Sequence, residues 1–121
     1  MKVANPLAKK GEDIAAEYLQ KHGFQIIQRN FHIKGGEIDV IAIDATEKEP
    51  VLAFIEVKTR TSNTFGTGFE AITPWKIRSI TKTALFYKAT QKNLPDAMRI
   101  DAISVLIIGK EITIELIKNI G

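Results

Sequence analysis

The 121-residue chain has the length of one compact domain, and its 45% hydrophobic and 26% charged content excludes a disordered or low-complexity protein. It contains no cysteine, which excludes disulfides and thiolate-ligated zinc, so any metal must be held by oxygen or imidazole. A net charge of +3 suits phosphate-bearing partners without singling them out; no signal-peptide core and no run of roughly 18 apolar residues is present, so a single soluble, cytoplasmic domain over residues 1–121 with no membrane partner is expected.

Asn5-Pro6 sets a capping side chain before a proline at the first helical position, and Leu7, Gly11, Ile14, Ala15, Tyr18 and Leu19 follow at helical spacing. A helix over about 6–22 is predicted, closed by His22-Gly23. Phe24 to Phe31 then reads as a strand, and Gly35-Gly36 as a turn. Two further strands, Glu37 to Asp44 and Val51 to Lys58, flank the polar loop Ala45 to Pro50 as an antiparallel hairpin. The second is apolar on both alternating faces, which places it mid-sheet.

Thr59 to Thr73 has loop composition, and Thr73-Pro74 opens a second helix to about Lys92, with Ile77, Ile80 and Ala84 as its core face. After the break at Asn93 to Asp96, Ile100 to Ile108 and Glu111 to Ile117 form two strands joined by a turn at Gly109-Lys110. The predicted fold is α/β, in the order α-β-β-β-α-β-β, with a central mixed five-stranded sheet flanked by helices.

Chemistry concentrates on the hairpin. A register that matches Asp44 with Val51 also matches Asp39 with Glu56 and Glu37 with Lys58, gathering three carboxylates and one amine. Carboxylates on directly opposed residues repel by roughly 4 kcal/mol at 4 Å and an effective dielectric near 20. A divalent cation removes that cost: Mg²⁺ takes one or two carboxylates together with water and substrate phosphate, so Asp39 and Glu56 make a half-shell open to a phosphodiester. Lys58 is then placed to act on the attacking water and on charge developing at phosphorus. The alternative is structural, with a Glu37–Lys58 cross-strand ion pair and a protonated or amide-bonded Glu56. The convergence depends on the register, because a bulge or one-residue slip would send Asp39 to the other face.

Gly-Glu-Ile-Asp at 36–39, Ile-Glu-Val-Lys-Thr-Arg at 55–60, the early Gly11-Glu12 and the Arg-x-Asp of 99–101 together resemble the YraN-like family of uncharacterised bacterial proteins. The likeness runs over nearly the whole chain. That family looks like a branch of the PD-(D/E)XK, restriction-endonuclease-like nucleases and is similar in pattern to archaeal Holliday-junction resolvases. The resemblance implies a nuclease acting on nucleic acid, with DNA favoured, using Mg²⁺ or Mn²⁺. It assigns metal binding to Asp39 and Glu56, catalysis to Asp39, Glu56 and Lys58, and an additional acidic ligand to Glu12, with homodimers as in the resolvases. Ile38 stands where the superfamily signature often has proline. On its own, Glu12 reads equally well as an acid stabilising the positive helix end.

Arg60, Lys76, Arg78 and Lys82 are candidates for phosphate contact. Lys76 falls in the first helical turn, where the dipole disfavours a cation and an anionic substrate nearby would account for it. Thr64 to Phe69 lies just past the site and reads as a plain connector, the alternative being a loop able to close over substrate. Gly66 to Ala71 matches a relaxed dinucleotide fingerprint but neither follows a strand nor opens a helix, so it is rejected. His22 and His32 are not spaced as a zinc pair, and Arg99 with Asp101 reads as an ion pair fixing the sheet. Two readings besides the nuclease stay open: a nucleic-acid-binding module with this fold and little turnover, and an adaptor docking a protein through the second helix, which would require an exposed apolar strip there.

Overall fold

The computed structural model describes residues 5–62, 69 and 72–121. The loop expected over Thr64 to Phe69 and the rejected glycine motif lie, apart from Phe69, outside these residues.

The elements are α1 (Pro6–Lys21), β1 (Phe24–Ile33), β2 (Gly36–Asp44), β3 (Val51–Arg60), α2 (Pro74–Thr90), β4 (Ala97–Ile108) and β5 (Glu111–Ile117). This is the predicted order. Asn5 caps α1 by accepting the Leu7 and Ala8 amides, and Thr73 caps α2 by accepting the Lys76 amide, so orphan donors at both helix starts are satisfied by the residue preceding a proline.

The strands lie in the order β1-β2-β3-β4-β5. Neighbours are antiparallel except β3 and β4, which are parallel and joined through α2, so β3 is central as its two-sided apolar pattern requires. On one face Ala15 and Leu19 of α1 pack against Val40, Ala42, Ala53, Ile55, Ile103 and Val105. On the other, Ile80, Ala84 and Tyr87 of α2 pack against Ile41, Leu52 and Phe54. Ile77 is half-buried, while Trp75, Leu85 and Phe86 of the same helix are exposed.

Two local expectations change. The turn between β1 and β2 is Lys34-Gly35, while Gly36 begins β2. A side chain at Gly36 would collide with the Thr83 hydroxyl of α2, so this glycine permits close helix–sheet approach instead of turning the chain. The hairpin register holds from Asp44↔Val51 to Val40↔Ile55 and its paired residues end there, short of the expected Asp39–Glu56 and Glu37–Lys58 pairs. Ile38 and Ile41, three residues apart, belong to the same core cluster, which strict alternation does not give. Opposite this stretch, between the pairs Arg29↔Val40 and Phe31↔Ile38, Asn30 adopts φ 52°. The strand is therefore irregular around Asp39.

At the far end of the sheet Arg99 binds Asp101 through two bonds of 2.7 and 2.8 Å and Asp44 through one of 2.7 Å. Both carboxylates are fully buried. Arg99 and Asp101 thus form the sheet-fixing ion pair that their sequence suggests, extended by Asp44.

Candidate active site

Where β2 and β3 part, the irregularity turns Asp39 toward β3, and its Oδ2 accepts the Val57 amide at 2.8 Å. The carboxylate occupies the place a backbone acceptor would take in a continued ladder. Glu56, on the adjoining residue, is 5% exposed. Lys58 Nζ stands 3.5 Å from Glu56 Oε1, and Lys76 Nζ of α2 stands 3.6 Å from the same oxygen. Asp39, Glu56 and Lys58 are thus brought together as predicted, through a side-chain-to-amide bond instead of a paired register.

Lys76 joins them from a helix whose start is 14 residues beyond the end of β3. The anion that compensates a cation in the first turn of α2 is Glu56 itself. Nothing in the local sequence identified this partner, because the contact exists only once the β3-α2-β4 crossover lays α2 over the end of β3.

Asp39, Glu56 and Lys76 line a cleft of about 240 Å³ that also takes in Glu12 and Ala8 of α1, Glu37 of β2 and Thr59 of β3, whereas Lys58 touches Glu56 without lining the cleft. Glu12 therefore reaches the same cleft, as the resemblance implied, with its side chain 16% exposed and 4.0 Å from Arg29 of β1. Arg29 also donates to Asp13 at 2.7 Å, tying α1 to the sheet edge. Glu37 sits on the cleft wall and on that of an adjoining groove of about 350 Å³ lined by His32, Gly36, Lys76 and Ser79. Arg60, Arg78 and Lys82 do not line the cleft. Arg60 donates to the Ser62 carbonyl, Arg78 lies 4.8 Å over the Trp75 ring, and Lys82 is exposed.

Burial raises the affinity of Asp39 for its proton, and the negative charge of Glu37 adds to this, against the opposing Val57 amide and Lys76. Burial pushes Glu56 up to about 7, the Asp39 charge pushes the same way, and Lys76 and Lys58 counteract both. Both shifts disfavour the doubly ionised pair, and a cation bound by the two carboxylates would reverse them.

Among the described residues no three carboxylate or imidazole groups converge closely enough to form a metal cluster by themselves. The donor chemistry nevertheless fits a hard divalent ion: the half-buried Asp39 and the buried Glu56 supply oxygen ligands, and the adjoining cleft has room for water and phosphate. His22 caps α1, with its ring nitrogen 2.7 Å from the Tyr18 carbonyl, and does not line the cleft.

The model of the uncharacterised protein family UPF0102 matches residues 11–105. The chain belongs to this family. The UPF0102 match takes in Glu12, Asp39, Glu56, Lys58 and Lys76, and it bears out the YraN-like resemblance carried by the Gly-Glu-Ile-Asp and Ile-Glu-Val-Lys-Thr-Arg segments. A UPF0102 protein of Geobacter metallireducens is 42% identical over 113 residues, covering 93% of this chain and 89% of its own length. Another, from Syntrophomonas wolfei, is 43% identical over 98 residues, covering 80% of this chain and 81% of its own. A third, from Clostridium perfringens, is 40% identical over 95 residues, with coverages of 78% and 75%. No helix among the described residues of this UPF0102 protein is long and apolar enough to cross a membrane.

Proposed function

We propose that this UPF0102 protein is a divalent-metal-dependent nuclease of the PD-(D/E)XK type, hydrolysing phosphodiester bonds in nucleic acid, with branched or otherwise structured DNA as the favoured substrate. The observation that carries the reading is the half-buried Asp39 carboxylate beside the buried Glu56 at one mouth of the sheet, with Lys58 3.5 Å from Glu56. A buried Glu56 whose anion is disfavoured by burial and by the Asp39 charge is costly as structure alone, and a cation would relieve that cost.

Asp39 and Glu56 would hold Mg²⁺ or Mn²⁺, and Glu12 would complete the shell through water. The metal would supply Lewis-acid stabilisation of charge on the phosphoryl group. The Val57 amide fixes the orientation of Asp39, so this ligand is set before substrate arrives. Lys58 donates to the attacking water and offsets the negative charge that builds on the phosphoryl oxygens. Lys76 balances Glu56 in the metal-free state and is free to turn to a phosphate once the ion takes over that carboxylate.

The second reading is a nucleic-acid-binding module without turnover. It is favoured by the two lysines already paired with Glu56 and by the lack of a three-ligand cluster among the described residues. Cleavage of labelled single-stranded, duplex, flapped and four-way-junction DNA and RNA, with Mg²⁺, Mn²⁺ or chelator, separates the two. The nuclease reading requires metal-dependent cutting that Glu56→Ala abolishes. Binding of the same substrates without cutting, at enzyme in excess, would select the module.

A further inference from the structure

α2 presents to solvent a face of unusual make-up. Trp75 is 71% exposed and Phe86 48% exposed, although each would bury a large apolar area in a core position. Residues 75, 79, 82 and 86 follow one another at three- and four-residue spacing and so form a single stripe, Trp-Ser-Lys-Phe, with Arg78 at its side. The Arg78 guanidinium lies over the Trp75 ring at 4.8 Å, a cation–π contact that limits the ring's freedom. From Pro74 to Thr90 the helix carries four cations, Lys76, Arg78, Lys82 and Lys88, and no carboxylate.

This face adjoins the cleft. Lys76, the residue after Trp75, lines both the cleft holding Asp39 and Glu56 and the groove that continues past His32 and Gly36 to Ser79. Ser79 belongs to the Trp75 stripe, so the groove leads from the carboxylates to the exposed aromatic face.

From this arrangement we infer that the exposed face of α2 is a stacking platform for unpaired nucleotides, on which a base stacks against Trp75 while the flanking phosphates meet Arg78 and Lys82. Aromatic rings interleaved with cations suit single-stranded nucleic acid, because every base offers a π-face and the backbone is uniformly anionic. An apolar protein partner would not call for a helix free of acidic residues, and a fully paired duplex keeps its bases out of the tryptophan's reach. The proposal rests on the nuclease reading and narrows its substrate to nucleic acid with an unstacked segment beside the scissile bond.

Trp75 is the sole tryptophan of the chain, so its emission reports on the platform directly. Full-length Glu56→Ala protein, which cannot cut under the proposal, is titrated with a short oligothymidylate, a blunt duplex and polyglutamate, following tryptophan fluorescence and the anisotropy of the labelled strand. The single strand is expected to quench Trp75 saturably, and the duplex and polyglutamate are not. Adding Trp75→Ala should weaken single-strand binding roughly 5- to 150-fold, the range measured for loss of one stacked base, with Trp75→Phe falling between the two. Adding Arg78→Ala and Lys82→Ala together should lower the slope of log affinity against log salt by about 1.4, for two phosphates released from a single strand.

Equal binding by the Trp75→Ala protein, with unchanged circular dichroism, would overturn the platform, as would equal quenching by polyglutamate. The two proposals fail separately. Metal-dependent cutting by the otherwise unaltered protein without Trp75 quenching would leave the nuclease standing and remove the platform, whereas quenching by single strands without cutting would do the reverse.

Discussion

Removing the ionisable group at position 56 should stabilise the metal-free protein at alkaline pH while leaving it little changed in acid. Glu56 titrates at about 7, because burial and the Asp39 charge disfavour its anion. In the unfolded chain it titrates at its ordinary value of 4.5. Below pH 4.5 both states carry the proton and Glu56 makes no pH-dependent contribution. As pH rises from about 4.5 to about 7 the unfolded chain ionises first, so the folded state loses stability throughout that window, and the loss is complete above it. At roughly 1.4 kcal/mol per pH unit the displacement is worth about 3 kcal/mol. Urea unfolding of wild type and Glu56→Gln in chelator, at pH 4.5 and pH 8, should show the stability difference moving in favour of the glutamine variant by about that amount. Saturating Mn²⁺ at pH 8 should close the gap by stabilising only the protein that retains both carboxylates. A difference independent of pH would refute the reasoning, since it would mean that Glu56 carries its charge in the fold without strain.

Three further outcomes follow from the same contacts. Lys58→Met should reduce metal-dependent cleavage by roughly 10²–10⁴-fold while substrate affinity, measured by anisotropy, changes little. Arg99→Met should cost about 3–5 kcal/mol in urea unfolding, because it strips the guanidinium from the fully buried Asp44 and Asp101. Burial alone would push the Asp44 carboxyl up, but hydrogen bonds from Thr46, Arg99 and Lys118 hold it well below the usual carboxylate range, so its charge persists when the partner is removed. Gly11→Ala should cost about 1–3 kcal/mol by the same assay, because the added carbon would lie 2.7 Å from Thr59 Cβ and α1 would have to lift from β3 beside the cleft.

The sequence was most legible where one physical signal dominated. Proline after a capping residue located both helix starts, and the two-sided apolar run of Val51 to Lys58 placed β3 at the sheet centre. The six-residue polar loop fixed Asp44 opposite Val51, from which proximity of Asp39 to Glu56 followed. What the pattern did not contain was the break in alternation around Asp39. That break lies opposite Asn30, whose φ is positive, and there the aspartate meets the Val57 amide instead of facing Glu56 in a ladder.

Long-range partners were equally beyond local reading. The dipole argument points Lys76 toward an anionic substrate, whereas its partner in the structure is Glu56, 20 positions earlier and supplied by the crossover. Arg29 of β1 carries no sequence signal of its own, yet it links the acidic residues of α1 to the sheet edge and faces Glu12 near the cleft. Trp75 gave no signal in a helix judged by its apolar period, because its exposure is what distinguishes it.

The most direct test of the account is a single-turnover time course with enzyme in excess over a labelled four-way-junction or flapped DNA, comparing wild type with Asp39→Asn and Glu56→Ala in Mg²⁺ and in chelator. The account predicts product only for the wild type and only with metal. Cleavage that persists in chelator or in both variants would contradict it, as would tight binding by the wild type with no product at any metal concentration.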